Sequence, residues 1–397
     1  MYGRHVPFVT ILLAALALAA LPAAAEAQGT ITTALSFLLT NRSIPTGDFV
    51  GDAEATKATS DAIATLLRSE LGTLPVNASA SGFTYRMDPA LGGVAVRSTG
   101  TFGAFFTERA LTLGRRHLSF AATYRTVSFD GIDGRNLRDG TLRATASQLN
   151  TETAPFDVET VTLRIHADTM TVSGNYGVTD RLDIGGALPI QRLSLSGQRI
   201  DTYRGTPLLQ AGVAAAASGP GDLLLRTKFH LWQRGGTGLA IGGDARLPTG
   251  TAANLLGAES TTIKPRVIWS IESSHIALDS NVAYGLGGVS DELDYGAALT
   301  TVRTSAFTIV GELAGRRLSS AGRLIDVTTP NLRLPGVYTT RLSAVASDTN
   351  RMIATAGVKW NVRATWLMTG NVSRSIGTAG LTARWMATFG AEYAFGE

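Results

Sequence analysis

Three charged side chains at alternate positions are the clearest candidates for chemistry in this sequence. Arg164, His166 and Asp168 fall on one face of a predicted strand, and an Asp–His pair is part of the machinery of many hydrolases. No serine in a nucleophile motif accompanies them, which favours a simple row of polar side chains. The sequence has no cysteine and no histidine with a second ligand at a metal-binding spacing, so we expect no metal, no cofactor and no catalytic residue.

A larger set of polar residues recurs at every second position of several apolar runs. In the run 223–232, for example, Arg226, Lys228 and His230 alternate with mostly apolar side chains. Because side chains alternate across a strand, the two sets face opposite ways. We predict that the polar face lines the lumen of a barrel. The lumen-lining candidates are Arg164, His166, Asp168, Arg226, Lys228, His230, Asp244, Arg246, Lys264, Arg266, Asp279, Asn281, Glu312, Arg384 and Glu392.

Two interpretations of this polar face stay open. Charges on neighbouring strands, such as Arg226 and Asp244, can pair across the sheet and form a structural ladder. The basic side chains can instead form a track that guides solutes. In both cases the charges are assigned inward, because an arginine or lysine facing lipid costs about 2–4 kcal/mol at the membrane midplane. The predicted lipid-facing residues include Phe229, Leu231, Ile241, Val267, Trp269, Val282 and Tyr284.

The runs that carry these residues are long enough to cross a membrane as strands. Most reach roughly 9–11 residues, the length of a tilted membrane-spanning strand, whereas soluble strands are commonly about 5–6 residues long. Short turns alternate with long loops at 131–159, 196–221 and 317–351. We therefore predict an all-β, transmembrane, antiparallel up-and-down barrel of about fourteen strands, with short turns in the periplasm. Fourteen includes runs at 93–100 and 102–113; twelve is the alternative if a terminal pair lies outside the wall.

The beginning of the chain does not follow this rhythm. Residues 1–27 combine a basic start, an apolar stretch and a small-x-small site, which is typical of a cleaved export signal. Residues 28–92 are predicted to be a periplasmic or lumenal segment, and residues 93–397 the barrel. A helix is predicted at 53–71, capped by Asp52. Docking for stability and plugging of the lumen are both open as roles for this helix.

Composition agrees with an exported membrane barrel. Charged residues make up 17% of the 397 residues, below the soluble average of about 25%, and the net charge is +4. We expect a location in the outer membrane, contact with its lipid and with a small molecule of unknown identity, no nucleic-acid partner and a monomeric state. No basic cluster with interleaved aromatic residues suggests nucleic acid.

Several motifs resemble a known family. Residues 175–185, 221–228 and 243–250, supported by 106–111 and 254–257, are similar to outer-membrane transporters associated with the phenol meta-cleavage pathway. The resemblance implies an outer-membrane barrel with a role in the uptake of hydrophobic or aromatic compounds. It implies no particular ligand and no site residue.

Three functions follow from this reading, in order of preference. The first is passive passage of small, hydrophobic or aromatic molecules without covalent chemistry, so that the protein is not an enzyme. The second is a structural or adhesive barrel whose long loops contact partners. The third is an outer-membrane hydrolase. The loop sequences do not separate the first from the second.

Overall fold

The computed structural model describes residues 29–72, 78, 82–88, 94–97, 100–304, 306–363 and 365–396, so the predicted export signal lies outside the described residues. Two helices come first, α1 (Ile31–Leu39) and α2 (Phe49–Gly72). The strands are β1 (Tyr85–Asp88), β2 (Val94–Arg97), β3 (His117–Phe129), β4 (Gly131–Ile132), β5 (Arg135–Asn136), β6 (Leu142–Leu149), β7 (Asp157–Gly177), β8 (Leu182–Tyr203), β9 (Thr206–Pro220), β10 (Leu223–Arg234), β11 (Thr237–Leu247), β12 (Thr262–Glu272), β13 (Ile276–Gly287), β14 (Glu292–Thr304), β15 (Phe307–Leu318), β16 (Arg323–Pro330), β17 (Val337–Val345), β18 (Thr349–Arg363), β19 (Trp366–Ile376), β20 (Leu381–Thr382) and β21 (Met386–Gly396).

Twelve of these strands form a closed antiparallel barrel. Its order is β7-β3-β21-β19-β18-β15-β14-β13-β12-β11-β10-β8, and β8 pairs again with β7. The barrel fold is therefore confirmed with twelve strands, the smaller of the two expected numbers. Closure leaves no wall strand with an unpaired edge, which is the condition for a sheet to sit in lipid.

The two additional predicted strands are not part of the wall. β2 pairs with β1 as a small hairpin, and residues 102–113 have no regular secondary structure although almost all of them are buried. Residues 102–113 were predicted to be a strand, although their polar residues Thr107, Glu108 and Arg109 are consecutive in the sequence. The polar residues instead meet side chains that project from the inner face of the wall, as described below.

The outer face of the wall carries an apolar belt. The lipid-facing residues predicted from alternation are confirmed as exposed in the isolated chain, as expected for side chains that meet lipid: Phe229, Leu231, Ile241, Val267, Trp269, Val282 and Tyr284. Aromatic rings cluster at the end of the barrel that carries the short turns. Phe307 stacks on Trp360 with centroids 5.6 Å apart, and Trp366 contacts Tyr393 at 5.0 Å. An apolar band edged by aromatic residues is typical of outer-membrane barrels, so the chain is one that crosses the outer membrane.

β7 and β8 extend well beyond the other wall strands, with 21 and 22 residues. At this end, which carries the long loops and so by the usual rule faces outwards, β8 pairs with β9. β7 pairs there with β6, which continues into β17 and β16. The predicted long loops thus contain four strands that enlarge the sheet outside the membrane.

The two helices pack inside this enlarged end, and we call them the cap. Their buried faces, including Leu35, Leu38, Ile63 and Leu67, form one core with the inward side chains of the sheet. The predicted helix is confirmed, although it begins earlier than expected. Asp48 rather than Asp52 accepts the first-turn N–H, from Gly51 at 3.0 Å, while α1 was not predicted. Among the described residues, no helix is long and apolar enough to cross a membrane.

Candidate functional site: the lumen

Residues 100–113 cross the lumen near the short-turn end of the barrel, and we call them the strap. Glu312 of β15 accepts hydrogen bonds from the backbone N–H groups of residues 105–107 at 2.5–3.2 Å. Lys359 of β18 donates to the carbonyl oxygen of Ala104 at 2.8 Å. These two side chains make hydrogen bonds that a neighbouring strand would otherwise make with the backbone of the strap.

The middle of the strap meets the basic side chains of β10. Arg226 Nη1 lies 2.8 Å from Glu108 Oε1, and Lys228 Nζ lies 3.5 Å from Glu108 Oε2. Lys228 also donates to the carbonyl oxygen of Arg109 at 3.3 Å, and His230 Nδ1 lies 2.9 Å from the next strap carbonyl. The alternate residues of β10 therefore hold the strap, which favours the structural interpretation for these three side chains.

The last part of the strap is held in the same way by β12, β13 and β8. Ser270 accepts from the N–H of Ala110 at 2.9 Å and donates to Asp279 at 2.6 Å. Asp183 accepts from the N–H of Leu113 at 3.0 Å. A segment that would otherwise leave buried backbone groups without partners is thus satisfied by inward polar side chains of the wall.

The cap is joined to the surrounding sheet by ion pairs and hydrogen bonds as well as by its apolar core. Arg341 Nε lies 2.5 Å from Asp52 Oδ1, at the start of α2. Arg351 of β18 pairs with Glu70 near the end of α2, and Arg199 donates to the carbonyl groups at the end of α1. The charges therefore connect the two ends of the cap to three separate strands.

A cavity lies between the cap and the strap. It encloses about 900 Å³ free of protein atoms, part of it open to solvent. Glu70 contributes to its lining from the cap, and Phe106 and Thr107 contribute from the strap. The rest of its surface comes from inward side chains of the wall, most of them charged. The lumen is thus a polar compartment limited by the N-terminal part of the chain at both ends.

Eleven of the fifteen predicted lumenal residues lie inside the wall. Seven of them line the cavity: Arg226, Asp244, Arg246, Lys264, Arg266, Asn281 and Glu312. Lys228, His230 and Asp279 contact the strap directly or through Ser270. Glu392 faces the chain near Gly82, where a Cβ atom would lie 2.2 Å from the carboxylate, so a larger residue at position 82 would require the Glu392 side chain to move.

The structure corrects the predicted positions of the other four residues, which are Arg164, His166, Asp168 and Arg384. Arg164, His166 and Asp168 point away from the lumen, on the outer face of the extended part of β7. The inward positions there are the intervening Leu163, Ile165 and Ala167, which are buried against the cap. Charge was assigned inward on the assumption of lipid outside, but this part of β7 is beyond the apolar belt.

Arg384 is exposed in the connection between β20 and β21, because β21 begins only at Met386. The predicted alternation extended this strand too far.

On the outer face of the extended part of β7, the polar side chain of His166 has hydrogen-bond partners among its neighbours. Ser128 Oγ lies 2.8 Å from His166 Nδ1, and His166 Nε2 lies 3.3 Å from Asp168 Oδ2. The Tyr124 hydroxyl donates to Asp168 at 2.8 Å.

Several lumenal residues were not among the predicted ones. Arg125 and Arg351 line the cavity together with Glu70 of the cap. Arg125 belongs to a predicted strand, so alternation could have placed it. Arg351 fell at the end of a predicted long loop, and nothing local showed that α2 reaches the lumen. In the described part of the chain, no group of three or more His, Asp or Glu side chains is arranged to hold a metal ion.

Comparisons with solved structures find outer-membrane barrels. The COG4313 outer membrane channel from Pseudomonas putida F1 is 14% identical, with a TM-score of 0.42 over 72% of this chain and 98% of that one. The KdgM porin is 7% identical (TM-score 0.37; 69% and 99% covered), and a Pseudomonas aeruginosa FadL homologue is 9% identical (TM-score 0.33; 83% and 96% covered). These similarities assign no residue a role.

No curated protein matches the chain. Residues 141–311 match the model of the family described as "Putative MetA-pathway of phenol degradation". This region includes β6 to β14 and most of the motifs that suggested the resemblance. The resemblance predicted from the sequence is thereby confirmed over residues 141–311 of this outer-membrane β-barrel.

Proposed function

We propose that the protein allows small molecules to cross the outer membrane passively through its lumen, with the N-terminal part of the chain acting as a plug. The observation that carries this proposal is the polar cavity between the cap and the strap. A barrel needed only as a rigid anchor gains nothing from a solvated compartment lined by charge. The small, hydrophobic or aromatic molecules suggested by the family resemblance are the substrates we propose.

The division of the chain follows from this function. Residues 1–27 are proposed to be removed on export. The plug begins with the cap and extends through the strap, past the boundary at residue 93 drawn from the sequence, to the start of β3 at His117. We propose that the protein acts as a monomer, since each barrel encloses its own complete lumen.

The strap is the part of the plug that is more easily displaced. Its attachments to the wall are mainly polar, through residues such as Glu312, Lys228 and Ser270. Its buried apolar residues form only small clusters, such as that of Ala104 and Phe105 with Ala298 and Val310. The cap instead buries Leu35, Leu67 and many other apolar side chains, whose exposure to water would be unfavourable. Opening is therefore proposed to be a movement of the strap away from the cavity.

A reversible crosslink tests this movement. A Cβ atom on Gly238 would lie 3.1 Å from the Cβ of Ala110 in the strap, close to the 3.5–4.5 Å that disulfides require. The double variant Ala110→Cys/Gly238→Cys should form a disulfide that fixes the strap to β11. Liposome swelling with arabinose should be slow when the variant is oxidised and should recover with dithiothreitol. The natural chain is the control, since it has no cysteine.

Each result separates the candidate functions. Swelling that is equal in the oxidised and reduced variant would show that passage does not need the strap to move. If neither the natural chain nor the reduced variant passes arabinose, the structural or adhesive barrel becomes the better description. The enlarged sheet outside the membrane is the feature that such a function would use.

A further inference from the structure

The charges that line one side of the cavity are matched by carboxylates. Arg226 Nε lies 2.9 Å from Asp244 Oδ1, and Arg266 Nη2 lies 2.8 Å from Asp244 Oδ2. Both arginines also approach Glu108 of the strap, at 2.8 Å and 3.8 Å. These guanidinium groups are used to hold the wall and the strap, so they offer little free charge to a solute.

A second group on β12, β14 and β15 is matched in the same way. Lys264 Nζ lies 2.6 Å from Asp294 Oδ2 and also pairs with Glu292. Arg316 Nε lies 2.7 Å from Asp294 Oδ1 and 3.2 Å from Glu292 Oε2. Two cations therefore face two carboxylates, and this group is close to neutral.

Two further arginines on the cavity surface have no such partner. Arg125 of β3 donates to Met386 Sδ at 3.0 Å, and neither it nor Arg246 of β11 has a carboxylate within 4.0 Å among the described residues. We call Arg125 and Arg246 the arginine pair. Both line the cavity and both are partly exposed to it, whereas Arg351, which lines the same cavity, pairs with Glu70.

The surroundings of the arginine pair are mixed in polarity. Phe106, Leu224 and Ile353 line the same cavity and offer apolar surface to it. A planar guanidinium binds a carboxylate with two parallel hydrogen bonds, and the adjoining apolar surface can cover a small hydrocarbon body. A cavity of this kind favours an organic anion over an inorganic cation.

We propose that the arginine pair is a binding site for a small organic carboxylate with an apolar body, on the path of the solute through the lumen. The assignment of substrate class rests on the proposed channel function. It also relocates the basic track considered from the sequence. Arg226 and Lys228 are engaged with Glu108, and the charge available to a solute is that of Arg125 and Arg246.

Selectivity in planar bilayers tests the site, with potassium benzoate as the probe. The reversal potential in a benzoate gradient should show that the natural chain passes benzoate more readily than K⁺. Arg125→Gln and Arg246→Gln should each lower this preference about fivefold, the effect of one unit charge at about 4 Å in water. The double variant should lose most of it, and the differences should shrink at high salt.

Matched variants control for charge and folding. Arg164→Gln removes the same charge from the outer face and should leave selectivity unchanged. The double variant Arg125→Lys/Arg246→Lys keeps the charge and should keep most of the selectivity. It tests the site even if a Gln variant folds poorly. Heat-modifiable gel mobility reports folding for each protein.

A binding measurement separates this proposal from the channel function. Calorimetric titration of benzoate into the detergent-solubilised protein should show binding that the double Gln variant lacks. Binding of this kind without any current would reject passage but keep the carboxylate site. Current with an unchanged reversal potential in the folded double Gln variant would overturn the proposed site and leave the channel function standing.

Discussion

The apolar face of β7 is on opposite sides of the sheet in the two halves of the strand. In the half near the short turns, Val172 and Tyr176 point outwards and are exposed, while Ser173 points inwards and is buried. In the half that extends beyond the membrane, His166 points outwards and Leu163 is fully buried against the cap. Alternation is continuous along the strand, but the medium on each side changes, so the apolar face changes from outside to inside.

β8 repeats this reversal one strand away. Ile184 and Leu188 are exposed on its outer face in the membrane half, and Arg192 is exposed on the same face further along. Leu193 and Leu195 are buried against the cap. A charged residue therefore marks the lumen only where lipid covers the other face, and it marks the outer surface where a folded plug fills the barrel.

The largest expected effect is that of a charge placed inside the extended half. Leu195→Asp would bury an unpaired carboxylate against the cap and should destabilise the folded barrel by about 3–5 kcal/mol. The control is Gln198→Asp, which adds the same charge on the exposed outer face of the same strand and should have little effect. Urea unfolding in detergent micelles measures both. Equal losses in the two variants would contradict the reversal of faces.

An arginine on the outer face should be costly only within the apolar belt. Phe229→Arg places the charge against hydrocarbon and should destabilise the barrel by about 2–4 kcal/mol near the midplane. His166→Arg makes the matched change on the outer face of the extended half and should be nearly neutral. Refolding into lipid vesicles, followed by heat-modifiable mobility, compares them. If His166→Arg inserted poorly and Phe229→Arg inserted normally, the assignment of the apolar belt to the half near the short turns would be wrong.

The wall could be predicted from the sequence because each strand there separates lipid from a polar lumen. Phe229 and Lys228 are assigned correctly by alternation alone. The strap could not be predicted, because the partners of residues 102–113 are single side chains from several strands, which no local pattern in the sequence reveals. Alternation could have placed Arg125 in the lumen, but it could not show that Arg125 has no carboxylate partner there among the described residues. Whether a carboxylate reaches it depends on which strands and which part of the plug are nearby.

The smallest expected effect on stability belongs to a pair of cysteine variants that locates the edge of the belt. His166→Cys and Val172→Cys both put a thiol on the outer face of β7, six residues and roughly 20 Å apart along the strand. On intact cells, a membrane-impermeant maleimide should label residue 166, which lies in water, and spare residue 172, which lies in lipid. Both should react in denatured protein, which controls for reagent access, and the natural chain should not react because it lacks cysteine. Labelling of residue 172 alone would mean that the extended half faces the membrane interior, and the assignment of Arg164, His166 and Asp168 to the outer surface would then have to be abandoned.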